Sequence, residues 1–471
     1  MKRKIHLPFF TVCGIAILAM LLFASACVAE DESPDKLSVA AAITRALNIN
    51  TSVKRAEASY LTSLSNLRIA GFTTSYGLGT RTSINHNQND AGLSGTAYGN
   101  LIYEGISGTE ASLEFSPFGL GNDRGALSLT FRKPLKAGKG LLSTKADQLA
   151  GARSNATVQE KELFLTRQST VLNVIEAYYR AVLAREEVKV QERAVEITEE
   201  AAEGARLRAE AGLVRGIDVS RAEIRVARTR DQLNLQRQTA RAAKDRLMTA
   251  IGAGIGEDPE LTDEIPEPLT NLPDLAKAVQ IALENRAEFV VYDEQMADQQ
   301  RRLAMAEDRL RPRLDLVAGY NSFSKDPGVI SASLLEFGDF RAGVEYRFPI
   351  DKRVDAERRD IANRDLDVLR RLRTYQMEQV TEQVRRAYRN VETAKTTLDI
   401  LSENVKVAED NLRLALRMVE EGIDDNRVVL DAQESLTQVE VGLLSAKVDL
   451  YLAGINLLYA MGQDLTVLGL E

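Results

Sequence analysis

Apolar residues recur at helical spacing over most of this chain, and two helical stretches are exceptionally long. They cover about residues 140–211 and 354–421, are rich in Ala, Glu, Arg and Leu, and contain no proline. At ~1.5 Å per residue each would span about 100 Å, which indicates coiled-coil packing rather than a globular core. Each pattern breaks at one glycine, Gly212 or Gly422, and a second helix returns. The predicted helices lie at about 38–70, 140–211 and 218–251 in the first half and at about 274–310, 354–421 and 427–460 in the second.

Shorter segments between these helices alternate apolar and polar residues with a period of two. In the clearest of them Val344 and Tyr346 fall on one face, and Arg341, Glu345 and Arg347 fall on the other. Such alternation is typical of β-strands that have one apolar face. The predicted strands lie at about 72–86, 110–133, 313–323 and 338–350.

Two environments give this alternation: a half-buried soluble sheet or a transmembrane β-barrel. Aromatic residues near strand ends, such as Phe72 and Phe348, favour the barrel, because aromatic girdles lie at membrane interfaces. Long loops expected at 85–108 and 322–338 fit the same interpretation. Four strands cannot close a barrel, and lipid does not tolerate open sheet edges, so closure requires several copies of the chain.

The two halves of the chain repeat each other, and the sequence predicts a fixed offset of 210 residues without a gap. Ala177-Tyr178 recurs as Ala387-Tyr388, for example. A repeat this long that occurs only twice indicates one large duplicated module rather than a solenoid. The predicted domains are the repeats at 37–252 and 273–465, joined by a linker at 253–272 that we expect to lie along the helices.

The amino terminus has the features of a secretory signal. Three basic residues at positions 2–4 precede an apolar run at 7–23 and then small residues, so residues 1–26 are predicted to be a signal peptide. Without them the chain has 57 rather than 60 basic residues against 68 acidic ones, a net charge of about −11. This charge argues against nucleic acid as a partner.

Cys27 allows two interpretations. The segment Ala24-Ser25-Ala26-Cys27 resembles a bacterial lipobox, whose cysteine would be acylated. Ordinary cleavage after Ala26 or Ala29 fits the same residues, and Ala24 stands where a lipobox usually has Leu. Since Cys13 lies in the signal, the exported chain keeps at most this one cysteine, which excludes an intrachain disulfide.

Signatures of enzymes and of metal sites are missing from the sequence. His86 is the only histidine outside the signal, so neither a histidine-based triad nor a histidine metal cluster can form. The glycines at 119–122 lack the Lys-Ser/Thr of a phosphate loop. No run of 18 apolar residues follows the signal, so no membrane-spanning helix is predicted. We therefore expect no catalysis, no cofactor and no bound metal.

The duplicated order of helix, strand pair, proline, long helix, glycine and returning helix resembles that of the TolC-like outer-membrane efflux proteins, or outer membrane factors. Local matches are Gly212–Val219 followed by Ala222-Glu223, and Gly422–Val429 followed by Leu430-Asp431-Ala432. The similarity covers about residues 37–465, almost the whole exported chain.

This resemblance implies a mainly α fold with a transmembrane β-barrel portion. Three identical chains would form a twelve-stranded barrel in the lipid of the outer membrane of a Gram-negative bacterium, continued by an α-helical coiled-coil tunnel in the periplasm. The resemblance also implies a passive duct of a tripartite efflux or type I secretion system. Its periplasmic end would dock to a periplasmic adaptor protein and an inner-membrane pump.

The turns at Gly212 and Gly422 would then lie at the periplasmic mouth and serve as tips for adaptor docking. Family members often carry rings of aspartates at this mouth, and Asp431 falls on one such position. The basic residue that the family places near Gly422 is replaced here by an aspartate, and these acidic residues could equally act as helix caps. The candidate mouth residues are Asp218, Asp424, Asp425 and Asp431.

Two other classes of protein remain as alternatives. A periplasmic adaptor also combines a long helical hairpin with strands, but it needs one hairpin rather than two tandem copies. A structural coiled-coil protein of the envelope would have continuous heptads without strands punctuated by proline. The sequence does not identify the exported substrate.

Overall fold

The computed structural model describes residues 36–87, 90–120, 126–212, 215–254, 256–269, 272–323, 338–421 and 426–466. Within these ranges each half has two short helices, a group of strands and two long helices. The first half contains β1 (Lys36–Leu37), α1 (Val39–Ile49), α2 (Thr51–Gly71), β2 (Thr74–Asn87), β3 (Asp90–Glu104), β4 (Glu110–Leu120), β5 (Ala126–Lys136), α3 (Thr144–Glu210) and α4 (Gly216–Ile251). The second half contains β6 (Glu260–Leu261), α5 (Leu275–Asn285), α6 (Ala287–Arg309), β7 (Arg313–Phe323), β8 (Gly338–Arg347), α7 (Arg353–Glu420) and α8 (Asn426–Ala460).

The first helical segment of each half bends at one residue. Asn50 has an extended backbone (φ −60°, ψ 127°) that ends α1, and its side chain accepts a hydrogen bond from Ser52 N, which caps α2. Arg286 has nearly the same conformation (φ −63°, ψ 121°) between α5 and α6. The prediction of single helices at 38–70 and 274–310 was therefore wrong, because apolar periodicity continues through a bend that the backbone makes.

The long helices α3 and α7 have 67 and 68 residues. At ~1.5 Å per residue each is about 100 Å long. The returning helix α4 packs along α3, and α8 packs along α7. Small side chains are buried where the helices approach, among them Ala181, Ala194 and Ala205 of α3. Burial of alanines at helical spacing is what allows two such helices to pack closely over this length.

Two hydrophobic clusters attach the short helices to the long ones. In the first, Tyr178 of α3 and Leu247 of α4 are buried together with residues of α1 and α8. In the second, Val384 of α7 and Leu457 of α8 are buried with Ala278 of α5. Complete burial of one such large side chain contributes about 1.5–3 kcal/mol. The core of each half thus lies where its short helices pack on the long hairpins.

The segment between the two halves is tied to the amino-terminal segment. Strands β1 and β6 pair in parallel, with Leu37 opposite Leu261. The Tyr178 hydroxyl donates to the Leu37 carbonyl at 2.9 Å, and burial raises the pKa of this tyrosine above its usual range. The Arg185 guanidinium donates to the carbonyl oxygens of Leu261 and Asp263. These bonds hold the linker against α3.

Apart from β1 and β6, the strands of the described residues form one antiparallel sheet of six in the order β2-β3-β4-β5-β7-β8. The prediction of four strands was wrong. The segment predicted as one strand at 110–133 contains both β4 and β5, and most of the loop predicted at 85–108 belongs to the β2–β3 hairpin. This region is rich in Gly, Ser and Asn, and a backbone hydrogen-bond ladder forms without the apolar alternation on which the prediction relied.

A single offset does not relate the two halves. The returning helices begin at Gly216 and Asn426, which are related by the predicted offset. The first helices of the two halves begin at Val39 and Leu275, which lie further apart along the chain than that offset. The difference arises between the short helices and the long ones, where only the first half has the β2–β3 hairpin among the described residues. The expectation of a repeat without a gap therefore holds for the long helices and fails for the sheet.

One helix of the described residues, Arg427–Ala460, is long and apolar enough to cross a membrane by length and composition. In the second half of this helix, Val448, Leu452, Ile455 and Leu457 are buried in the two clusters against neighbouring helices. We therefore interpret α8 as a core helix of the bundle.

Candidate channel lining and helix-tip site

One face of the sheet is apolar from edge to edge. The strand register aligns one residue from each strand in a single row, and all six are apolar: Tyr76, Leu101, Leu113, Leu129, Tyr320 and Phe340. Large side chains of this face are exposed, most of all on the outer strands, where Tyr76 is 86% and Phe340 is 72% exposed. A contiguous apolar face of this size marks a surface that contacts lipid or another protein.

The opposite face is polar and carries hydrogen bonds between strands. In the adjacent row, Asn100 lies opposite Glu114, and Glu114 opposite Ser128. Asn321 bridges the Ser128 hydroxyl at 2.8 Å and Arg341 Nη2 at 2.7 Å, with its amide oxygen oriented toward the guanidinium. Hydroxyl and amide groups therefore link three neighbouring strands at one level of the sheet.

An ion-pair network extends this polar face. Glu345 on β8 accepts from Arg347 at 2.6 Å and lies 3.6 Å from Arg132 on β5. These three side chains lie on the face opposite Val344 and Tyr346. The predicted division of the last strand into an apolar and a charged face is confirmed.

At the far end of the long helices, the structure describes part of the predicted mouth. Gly212 has φ +75°, a left-handed conformation that a glycine adopts readily and that ends α3. Asp218 lies in the first turn of α4 and pairs with Arg221 at 3.5 Å. Asp218 and Asp431 pair with different arginines, Asp218 with Arg221 and Asp431 with Arg225 and Arg427. Gly422, Asp424 and Asp425 lie outside the described residues, as does Cys27.

Asp431 takes part in ion pairs that join the two helical hairpins. Its carboxylate lies 3.7 Å from Arg225 on α4 and 3.6 Å from Arg427 on its own helix. Arg225 also contacts Glu434 on α8. Arg225 could not be identified from the sequence, because its partners lie in the other half of the chain and an arginine on a charged helix gives no signal of such a pairing.

A polar groove of about 620 Å³ runs from this network along α3, α4 and α8. Burial raises the pKa of Glu187 in its wall, where the Gln236 amide donates to the carboxylate. Gln433 is buried in the same groove, and its side-chain oxygen has no hydrogen-bond partner among the described residues. Polar side chains thus line the groove between the two helical hairpins, whereas the core of a globular protein would be apolar.

Comparison with known proteins agrees with this architecture. The family model "Outer membrane efflux protein" matches residues 126–253 and 278–463, about two thirds of the chain. A search among curated protein sequences gives no match.

Several solved outer-membrane channels are similar in structure. The open state of the MtrE outer membrane channel of Neisseria gonorrhoeae has a TM-score of 0.70 at 16% identity, covering 91% of this chain and 89% of that one. The outer membrane protein VceC of Vibrio cholerae has a TM-score of 0.68 at 16% identity, covering 90% and 96%. The outer-membrane channel OprN has a TM-score of 0.69 at 17% identity, covering 91% and 90%. At these identities the likeness shows a common fold.

Proposed function

This chain belongs to the outer membrane efflux protein family, and we propose that it is the passive outer-membrane duct of a tripartite efflux or type I secretion system. The family is one of channels rather than enzymes. In this proposal the sheet crosses the outer membrane of a Gram-negative bacterium, and the long helices continue the passage into the periplasm. An inner-membrane pump supplies the energy and a periplasmic adaptor connects it to the duct.

The observation that carries the proposal is the pairing of two different faces on one sheet. An exposed apolar face needs lipid or protein to cover it, while the opposite face carries Arg132, Arg341 and Glu345, which need water. A barrel in a membrane satisfies both demands, because its outside contacts lipid and its inside encloses water. The helices of about 100 Å have a length suited to bridging the periplasm.

Closure of the sheet requires other copies, because the described strands leave two edges, β2 and β8, without a neighbouring strand, and lipid cannot satisfy the backbone groups of such edges. We propose a homotrimer, in which the six helical hairpins of three chains surround the tunnel. The turns at Gly212 and Gly422 would then form the tips that contact the adaptor.

The mouth of the tunnel would lie at these tips. Asp431 would line it with Asp218, Asp424 and Asp425, and Arg225 would hold Asp431 between the two hairpins of a chain. Separation of Arg225 from Asp431 would be one of the steps by which a docked adaptor opens the mouth.

Thiol labelling in whole cells tests the assignment of faces. In a chain whose Cys27 is replaced by serine, we expect Glu345→Cys to react with a water-soluble maleimide and Val344→Cys to resist it. The two positions are adjacent on β8, so they form a matched pair that differs only in face. Fractionation should place both variants with the outer membrane.

Labelling of Val344→Cys but not Glu345→Cys would overturn the assignment. Recovery of the chain as a soluble periplasmic protein would instead support the adaptor or the structural coiled-coil protein.

A further inference from the structure

The β2–β3 hairpin is an addition to the duplicated fold. In the second half only three residues separate α6 from β7, whereas in the first half this hairpin stands between α2 and β4. The chain enters and leaves it at one place, because Glu104 N donates to Thr73 O at 2.7 Å. The family-model match begins at Ala126, after both this hairpin and β4.

The added hairpin forms one end of the sheet rather than a separate lobe. β3 pairs with β4 from Glu104 opposite Glu110 to Gly95 opposite Leu120. Its apolar residues continue the apolar face, since Leu101 lies between Tyr76 on β2 and Leu113 on β4. The outer edge of the sheet is therefore β2, and β4 is an interior strand.

The two outer strands have the properties of complementary edges. The order β2-β3-β4-β5-β7-β8 is antiparallel throughout and has an even number of described strands, so β2 and β8 run in opposite directions. Both strands carry exposed side chains of the same apolar face. Leu78 on β2 is 94% exposed, and Val344 on β8 is 60% exposed. Both edges have unpaired backbone N–H and C=O groups, which is a template for pairing with another chain.

We infer that the β2 edge of one chain pairs with the β8 edge of a second copy, so that three copies close a barrel of eighteen strands. This inference rests on the proposed function, which supplies the membrane and the trimer. It differs from the twelve strands that four strands per chain would give. Since barrel diameter grows roughly linearly with strand number, the barrel would be about 1.5 times as wide as one of twelve strands.

The width of the barrel would determine the width of the aqueous passage through the outer membrane. Barrels of 16–18 strands leave an open aqueous channel. Polar groups such as Asn100 and Glu114 would lie on its wall, because they share the face of Arg341. The addition lies within the sheet, where the hairpin pairs with β4, and it enters the chain before the long helices begin.

Disulfide formation between copies tests the edge pairing. In a Cys27→Ser background, Tyr76→Cys on β2 is combined with one cysteine on β8, taken in turn from its apolar face. We expect one such pair to give covalent dimers and trimers on a non-reducing gel, because paired strands in register bring Cβ atoms of one face to about 4.5–5.5 Å. The β8 positions are Phe340, Ala342, Val344 and Tyr346.

Two controls separate this arrangement from others. Combining Tyr76→Cys with Glu345→Cys should give no covalent oligomer, because the two side chains lie on opposite faces. Combining Leu113→Cys on β4 with the same β8 series should also give none. Covalent oligomers from Leu113→Cys would mean that β4 is the edge, which is the twelve-stranded barrel, and would overturn the inference while leaving the proposed duct intact.

Excision of the hairpin gives an independent measurement. Joining Thr73 to Glu104 through two glycines leaves β4, β5, β7 and β8, because the ends of the removed segment are already hydrogen-bonded neighbours. Electron microscopy of detergent-solubilised trimers should show the barrel of the excised variant to be about two thirds as wide as that of the unmodified chain. Equal widths would overturn the inference. A monomeric, soluble unmodified chain would overturn the proposed function as well.

Discussion

The position of the amino-terminal segment leads us to expect that Cys27 carries no acyl anchor. The Leu37 carbonyl accepts a hydrogen bond from Tyr178, which lies well inside α3, whose first residue is Thr144. At ~1.5 Å per residue from Thr144 to Tyr178, this contact lies about 51 Å below the end of the sheet. The nine residues from Cys27 to Lys36 reach at most about 30–32 Å when fully extended.

In the proposed duct, an acylated cysteine would therefore fall short of the membrane that would hold the sheet by roughly 15 Å or more. To reach it the chain would have to release Leu37, which is 5% exposed, and break its pairing with Leu261. Val39 N would also lose Asp263 Oδ2, to which it donates at 2.7 Å. Each lost hydrogen bond costs about 0.5–1.5 kcal/mol and loss of the buried leucine about 1.5–3 kcal/mol.

The assay is the intact mass of the purified protein, with and without Cys27→Ser. We expect an unmodified chain that begins at Cys27 or at Glu30, and equal amounts of both proteins in the outer membrane. Ala24→Leu is the control, because it supplies the residue usual in a lipobox; it should be acylated and should give fewer assembled trimers. An acyl adduct on Cys27 in assembled, unmodified protein would refute the reasoning.

Three further changes test the packing of the helices by thermal unfolding in detergent. Leu457→Ala removes a completely buried side chain and should lower the free energy of unfolding by about 2–5 kcal/mol. Leu235→Ala is the control, because Leu235 is 57% exposed, and it should lower the free energy of unfolding by less than about 0.5 kcal/mol. Equal effects would contradict the assigned core. Gly252→Ala should destabilise, because φ is +86° and a Cβ would lie 3.0 Å from backbone, while Gly204→Ala meets nothing within 4 Å and should be neutral or stabilising. Burial raises the pKa of Glu187, so the native state should lose stability as pH rises from the usual pKa of a glutamate through the raised pKa of Glu187. Glu187→Gln should make this loss of stability smaller. Identical pH profiles of stability for the two proteins would contradict the reasoning.

The features that the sequence predicted well are those with a local physical period. Alternation on β8 determined the faces of Val344 and Glu345, because a strand places successive side chains on opposite faces whatever surrounds it. The long helices followed from a helical period sustained over nearly the whole of each element and ended by a glycine such as Gly212. Neither inference needed knowledge of what packs against the element.

Features that depend on distant contacts could not be predicted in this way. The bends at Asn50 and Arg286 interrupt no apolar pattern, because both flanking helices bury the same side. Strand β3, which was predicted as a loop, has Gly99 on its apolar face where a large apolar residue would mark a strand, and its evidence lies in the ladder it makes with β2 and β4. Arg225 finds Asp431 only after two hairpins from different halves pack together.

The uneven duplication suggests that the two ends of the proposed duct are determined by separate features. Two helical hairpins per chain, repeated at one constant offset, fix the number of hairpins around the tunnel at six for a trimer. The strands do not follow that repeat, because the β2–β3 hairpin enters between Thr73 and Glu104, whereas the returning helices α4 and α8 keep the offset. A hairpin can therefore be gained at the sheet edge and widen the barrel while the tips that would meet an adaptor keep their spacing. On this reasoning the width of the barrel and the fit to the pump can change independently.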